Sequence, residues 1–214
     1  MTTQTKQTKG TKAALLENAE QLFLAQGFQN VSIRQITESC DANVAAINYH
    51  FNGKTNLYRE VLTRRLDKIT TEKLALLDQL VNRKPTVSLE QLISTYVRSH
   101  FDSHLASADS ERLLQLIYHE MGPDAIAGDL VAERLVIPIH RAFQAAILRI
   151  CPELDEMHVS CCISSIMSQI LHFIRAREVL RSLRKPSQKE TFIEDAIHHI
   201  THFSLRGIRS NHHV

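Results

Sequence analysis

The sequence predicts an all-α fold of about nine helices. Three observations carry that prediction. Only six glycines and five prolines interrupt 214 residues, apolar residues recur at the 3.6-residue spacing of a helix over long segments, and β-branched runs in strict alternation are missing. A chain of this length makes one large domain or a small domain followed by a larger one, and its 43% apolar content suffices for a packed core.

The first helix runs from about Lys12 to Gln26, with Leu15, Leu16, Ala19, Leu22 and Phe23 on one face. Gly27 is placed to take the positive-φ position that closes it. Ser32-Ile33-Arg34-Gln35 has the form of a capping box: the serine hydroxyl accepts from the Gln35 amide while the Gln35 side chain reaches back. A second helix starts there, with Ile33, Ile36 and Cys40 inward. Asp41-Ala42 makes a short turn, and Asn43 caps a third helix whose inner face is Val44, Ile47 and Phe51. Helices this short hold only when docked on neighbours, here the first helix and the start of the fourth. The fourth extends from Gly53-Lys54 to about Val81, with Leu57, Val61, Leu62, Leu66 and Ile69 on its apolar side, and links two domains. The pattern breaks near Arg83-Lys84-Pro85, and Ser88 with Gln91 three residues on opens a fifth helix. Further helices are expected at about 109–121, 126–150, 156–183 and 188–208, with Pro152 and Pro186 setting boundaries and Pro138 kinking the helix that contains it.

The formal charge is only +2, so any nucleic-acid contact must come from a local concentration of charge. One such concentration is the stretch 1–11 and its border, where Lys6, Lys9 and Lys12 occur without an acid among threonines and glutamines; it reads as a flexible basic arm, or as an ordinary solvated tail. The four cysteines (Cys40, Cys151, Cys161, Cys162) lack C-x-x-C spacing and two are adjacent, which argues against a disulfide or zinc framework. The apolar stretches are broken by charges before about 20 residues, so neither export nor membrane insertion is expected and a cytoplasmic location is.

Residues 32–51 have the layout of a helix-turn-helix, in which a rigid first helix and turn aim a second helix into the major groove. Away from its inner residues the third helix presents Asn43, Ala45, Ala46, Asn48, Tyr49 and His50, a face without an acidic residue. Ala45 and Ala46 permit close approach and touch thymine methyls, Asn48 has the groups to pair with base edges, and Tyr49 or His50 can donate to phosphate. Lys54 stands at a helix N-terminus, a setting that suits a phosphate oxygen. Arg34 is a second phosphate candidate, and Ser32, opening helix two, completes the expected DNA-binding set.

The residue identities go further. Ala19-x-x-Leu22-Phe23-x-x-x-Gly27-Phe28, then Ser32-Ile33-x-x-Ile36, then Ala46-Ile47-Asn48-Tyr49-His50-Phe51-x-x-Lys54-x-x-Leu57 closely resembles the DNA-binding domain of TetR-family regulators over about residues 10–60. The resemblance implies phosphate roles for Tyr49 and Lys54. Two departures stand out. Gly53 occupies a position where the family often has a serine cap, so a side-chain cap must come from Asn52 or be missing, and Asn48 replaces a frequent tyrosine, so base preference there cannot be borrowed. The organisation implied is an arm (1–11), a DNA-binding domain (12–70), a ligand-binding and dimerisation domain (71–208) and a tail (209–214).

For the C-terminal domain the resemblance implies a homodimer made chiefly by the last two long helices. Ile163, Met167, Ile170, Leu171 and Ile174 on one, and Phe192, Ile193, Ile197, Ile200 and Phe203 on the other, are the candidate interface, although the same stripes also suit a monomer core. Two-fold symmetry then implies a pseudo-palindromic operator in double-stranded DNA. The family also implies a small-molecule effector cavity, for which Tyr96, His100, His104, Arg112, Tyr118, His119, Met121, His140 and Phe143 are candidates, each of which also suits a core or surface place. His119-Glu120-Met121-Gly122-Pro123, with Ile137-Pro138-Ile139-His140 following, looks like a subgroup controlling efflux and antibiotic-sensitivity genes. On this reading the protein is a repressor released from its operator by the effector.

Other classes fare less well. Gly-x-Ser-x-Gly, a phosphate-cradling glycine loop and His-Glu-x-x-His are all missing, so no enzyme and no cofactor are expected. His198 with His202, His100 with His104, and His212-His213 offer at most two metal ligands apiece, where a closed zinc site needs about four. Cys161-Cys162 suits thiol sensing or a buried apolar place. A helical adaptor that had lost DNA binding would have no need of the acid-free face on helix three.

Overall fold

The computed structural model describes residues 2–82 and 87–210, with side chains from Thr11 onward. The expected break at Arg83-Lys84-Pro85 and the His212-His213 pair lie outside the described residues, as do the side chains of Lys6 and Lys9. Every regular element among the described residues is a helix, without a strand, and the chain separates into two units: 1–70 with 108–136, and 71–107 with 137–214.

In the first unit, α1 (Thr2–Asn30) is interrupted at Gly27, whose φ of 75° and ψ of 166° are non-helical. The backbone of the expected arm continues this helix from Thr2. α2 (Ile33–Glu38) and α3 (Val44–Phe51) follow, and α4 (Lys54–Asn82) enters the unit with its first half. Leu15, Ala19, Phe23, Ile36, Ile47, Leu57, Leu62 and Leu66 are each at most 1% exposed and form one cluster, the anchoring that helices of six and eight residues require. Lys12 pairs with Glu60 at 2.8 Å and lies 5.3 Å from the Phe51 ring centre, tying α1 to α3 and α4.

The segment 108–136 belongs to this unit, which divides the chain differently from a single cut at residue 70. α6 (Ala108–His119) packs Leu116 and Ile117 into the same cluster, as α7 (Gly128–Val131) does Val131. Polar contacts fasten the segment to α4. The Arg59 guanidinium grips both Asp129 oxygens (2.8 and 2.5 Å) and donates to the Ile126 carbonyl, and Thr70 donates to the Arg134 carbonyl at 2.6 Å. Glu120, 1% exposed, accepts from the Tyr58 hydroxyl and from the amides of Ile126 and Ala127.

The helix expected over 126–150 is divided. α7 passes into a π-helical turn, Ala132–Val136, and then α8 (Ile137–Ile150). Pro138 thus falls at the second position of α8, directly after the π-helical turn; it has no amide hydrogen to give the Arg134 carbonyl four residues back, and that carbonyl accepts from Thr70 instead. The expected 156–183 helix likewise breaks at Ala176 (φ −90°, ψ 12°) into α9 (Glu156–Arg175) and α10 (Arg177–Ser182).

The second unit packs α5 (Leu89–Leu105), α8, α9 and α11 (Phe192–Arg209) together, with the latter half of α4. Ser88 and Gln91 form the capping box expected of them. Val159, Ile163, Ile166, Ile170 and Ile174 of α9 are buried, as are Phe192, Ala196, Ile197 and Ile200 of α11. Six of the ten residues expected at a dimer seam, Ile163, Ile170, Ile174, Phe192, Ile197 and Ile200, therefore serve the interior of this unit; Met167, Leu171 and Ile193 are half-buried and Phe203 is 60% exposed. Among the described residues α9 is the one helix long and apolar enough to cross a membrane. Its outer face carries Ser164, Ser165 and Ser168, whose hydroxyls donate back to the carbonyls four residues earlier.

Candidate nucleic-acid interface

Two caps orient the helix-turn-helix. The Ser32 amide donates to the Gln35 side chain at 2.7 Å and the Gln35 amide to Ser32 Oγ at 3.1 Å, so both members of the box are satisfied. Asn43 Oδ1 accepts from the Ala45 amide at 2.9 Å and starts α3. Between them the turn passes through Asp41 at φ 51°, a left-handed conformation uncommon for a residue with a side chain. Asn52 closes α3 in the same region (φ 56°, ψ 37°), and Gly53 at φ 112° leads into α4. A glycine offers no side-chain cap, which costs a few tenths of a kcal/mol, about 0.3, relative to serine.

Ile47 and Phe51 anchor α3 in the core, and Asn43, Ala45, Asn48 and Tyr49 are exposed, Tyr49 at 78%. The His50 ring stands edge-on to Tyr49 with centres 4.9 Å apart. The expected inner and outer faces need two corrections. Val44 is 46% exposed and stands with the outer residues, and Ala46 is half-buried against the core. Periodicity gives the direction of a side chain, not whether a neighbour reaches that end of the helix, and Val44 occupies the first turn. Its position immediately after the Asn43 cap was the available signal.

Arg34 is exposed but engaged, donating from Nε to Glu38 at 2.9 Å. The Lys54 ammonium lies 4.1 Å from the centre of the Phe28 ring, and burial lowers its pKa from the ordinary lysine value. Phe28 in turn contacts Phe23 and Tyr58, so the cation rests on a fixed aromatic base at the start of α4. Lys12, Arg34 and Lys54 thus stand in the same unit as this acid-free face, Lys12 paired with Glu60 and Arg34 with Glu38.

The effector candidates do not form one set. Arg112, Tyr118, His119 and Met121 belong to the first unit, where Arg112 and His119 line a groove of about 410 Å³ with Phe28, Tyr58 and Glu120. Tyr118 and Met121 are exposed. The other five are in the second unit. Tyr96 stacks on Phe143 (3.9 Å between centres, 20° between planes) and meets His100 edge-on at 4.8 Å. His104 lies one turn beyond, its ring centre 5.8 Å from that of His100. His140 bonds to Ser160 at 2.9 Å. Lys73, which sequence reasoning missed, is buried beside them and donates to Ser99 and Ser103. A lysine in a long amphipathic helix carries no sequence mark of burial. Among the described residues no group of three metal-ligating side chains converges.

This geometry defines a helix-turn-helix DNA-binding regulator. The TetR family model (bacterial regulatory proteins) matches residues 15–61, and the model described as the HTH-type transcriptional dual regulator CecR, C-terminal domain, matches residues 85–208, more than half of the chain. The chain belongs to the TetR-family regulators that carry a CecR-type C-terminal domain, a family of transcription factors rather than enzymes. It is 42% identical over 53 residues to the "Probable HTH-type transcriptional regulator YttP" of Bacillus subtilis (strain 168), a stretch covering 25% of this chain and 26% of that protein. A transcriptional regulator (TerR/AcrR family) from Aquifex aeolicus VF5 shares the fold at a TM-score of 0.60 and 15% identity, covering 90% of this chain and 99% of its own. A protein from Saccharomonospora viridis described as a transcriptional regulator, solved in complex with choline, does so at 0.62 and 16%, covering 95% and 97%.

Proposed function

We propose that this DNA-binding regulator acts as a homodimeric repressor in the cytoplasm, leaving its pseudo-palindromic operator when a small molecule binds the second unit. The observation that carries the reading is the outer face of α3: Asn43, Val44, Ala45, Asn48 and Tyr49, exposed and acid-free, on a helix held by caps at both ends. Asn48 reads a base edge, Ala45 and Val44 meet thymine methyls, and Tyr49, Arg34 and Lys54 take phosphates. Dimerisation joins α9 and α11 to their mates through outer faces that include Phe203 and leaves the buried stripes in place. The effector acts only by its difference in affinity between the DNA-binding and released settings. The choline held by the Saccharomonospora viridis protein supports a small-molecule site in this fold. The segments 119–123 and 137–140 support target genes of efflux and antibiotic sensitivity.

The test is selection of genomic fragments with purified protein, followed by gel shift at two salt concentrations. One enriched inverted repeat, bound by dimers with a steep salt dependence, is expected. Binding without an enriched sequence overturns the operator reading, and a reporter that falls on deletion of the gene overturns repression in favour of activation.

A further inference from the structure

The second unit encloses a charge without supplying its counterion. Lys73, on α4, is 4% exposed, and its ammonium donates to the Ser99 carbonyl (2.8 Å), Ser99 Oγ (2.8 Å) and Ser103 Oγ (3.3 Å). All three acceptors are neutral. Among the described residues no carboxylate pairs with it, and Glu72 and Asp102, the acids that act on it, are both exposed. His100, on α5, is 5% exposed, and among the described residues neither of its ring nitrogens has a hydrogen-bond partner. Burying a lone ammonium is costly, and so is leaving an imidazole wholly unsatisfied; here the two are neighbours. Both costs fall if an anion arrives.

The adjoining wall is apolar. Tyr96 stacks on Phe143, its edge faces His100, and its hydroxyl is directed to the Met167 sulfur at 3.4 Å. The geometry points to an anion site in which Lys73 and His100 hold the carboxylate of an organic monoacid, His104 supplies a third donor, and the apolar body lies against Tyr96 and Phe143. This rests on the reading of the second unit as the effector-binding domain and names the chemical class of effector. A monoanion matches the single fixed charge of Lys73. A dianion would call for a second cation, and burial keeps both imidazoles neutral, lowering the pKa of His104 to about 4 and that of His100 well below its ordinary value. The same ammonium disfavours a cationic ligand.

Acetate is the probe, because it carries the carboxylate and almost no body. In the full-length protein the imidazole resonances of His100 are expected to shift saturably with acetate, at a concentration roughly tenfold or more below any response to acetamide. Lys73→Met abolishes that difference. Silence of His100 toward acetate, an equal response to acetamide, or an unchanged acetate response in Lys73→Met overturns the site. Should Lys73→Met not fold, the comparison of acetate with acetamide in the wild type decides the matter. Gel shift on the operator separates this inference from the reading beneath it. If acetate binds at His100 while no compound of any charge alters operator affinity, the anion site stands and the effector reading falls. If neutral or cationic compounds alone release DNA and His100 ignores acetate, the effector reading stands and the anion site falls.

Discussion

The hydroxyl of Tyr58 donates to Oε1 of the buried Glu120 at 2.7 Å, and Oε2 of the same carboxylate accepts from the Ile126 and Ala127 amides at 2.8 and 2.6 Å. Burial, and then the carboxylate, hold the phenol well above its usual pKa, so it stays a donor at any working pH. One side chain thereby ties α4, next to the DNA-reading helix, to the turn beyond α6. Tyr58→Phe is expected to cost about 1.5–3 kcal/mol in urea unfolding, the range for a hydrogen bond to a charged group. In a double-mutant cycle with Glu120→Gln the two effects will fail to add; additive effects would show that the pair carries no coupling.

Tyr49→Phe combined with Lys54→Ala should lower operator affinity, and the loss of the lysine charge should reduce the salt slope by about one. Asn48→Ala should instead cost about 1–3 kcal/mol at one base pair and relax preference there. Lys54 also packs on Phe28, so the melting temperature of its variant must be measured beside the affinity. Affinity and salt slope both unchanged in a folded double variant would remove both residues from the interface.

The backbone of the first unit makes opposite demands at two positions. Gly27 at φ 75° and ψ 166° has open space around its α-carbon, so Gly27→Ala suffers conformational strain alone, about 1–3 kcal/mol. Asp41 adopts φ 51° with a side chain in place, and Asp41→Gly should be neutral to stabilising by up to about 1 kcal/mol, in line with the ease of glycine there. It also removes an acid from the turn before α3, and a gain in DNA affinity is expected with it. Thermal melts and gel shifts of the two variants read both effects.

Stability should change with pH in two windows. His100 and His104 titrate below the ordinary 6.5, His104 at about 4, so the unfolded chain takes up protons first and stability falls as pH drops from about 6.5 toward 4. Lys73 titrates at about 8 against an ordinary 10.5. The unfolded chain again holds the extra proton between those values, so this group adds stability as pH rises from about 8 to 10.5. Lys73→Met should flatten the alkaline rise and His100→Phe the acid fall. Parallel pH profiles in wild type and variants would show that neither group carries the linkage.

Ile200 and Phe203 lie on one helix with different burdens, the first fully buried and the second 60% exposed. Ile200→Ala should cost about 2–5 kcal/mol of folding stability. Phe203→Glu should leave the melt of the monomer nearly unchanged while shifting mass toward monomer in ultracentrifugation. A dimer that survives Phe203→Glu would place the seam elsewhere.

The contrast between those two residues shows what periodicity resolves. The stripes on α9 and α11 were legible as apolar, but which positions meet the interior of one chain and which remain for a mate depends on how α5 and α8 cover them. The candidates for an effector cavity scattered over two units for a similar reason: aromatic and histidine residues in amphipathic helices announce chemistry without announcing company.

The amino-acid sequence by itself determined the elements whose causes are local. The capping boxes at Ser32-Gln35 and Ser88-Gln91, the Asn43 cap and the Gly27 break all satisfy or deny backbone groups within four residues. The resemblance over residues 10–60 added the DNA-reading face to them. Tertiary structure alone decided that residues 108–136 join the first unit, that Val44 faces outward and Ala46 inward, and that Lys73 is sealed beside His100. Those outcomes follow from contacts between residues tens of positions apart, where packing volume and the cost of burying an unpaired charge outweigh any preference encoded in neighbouring side chains.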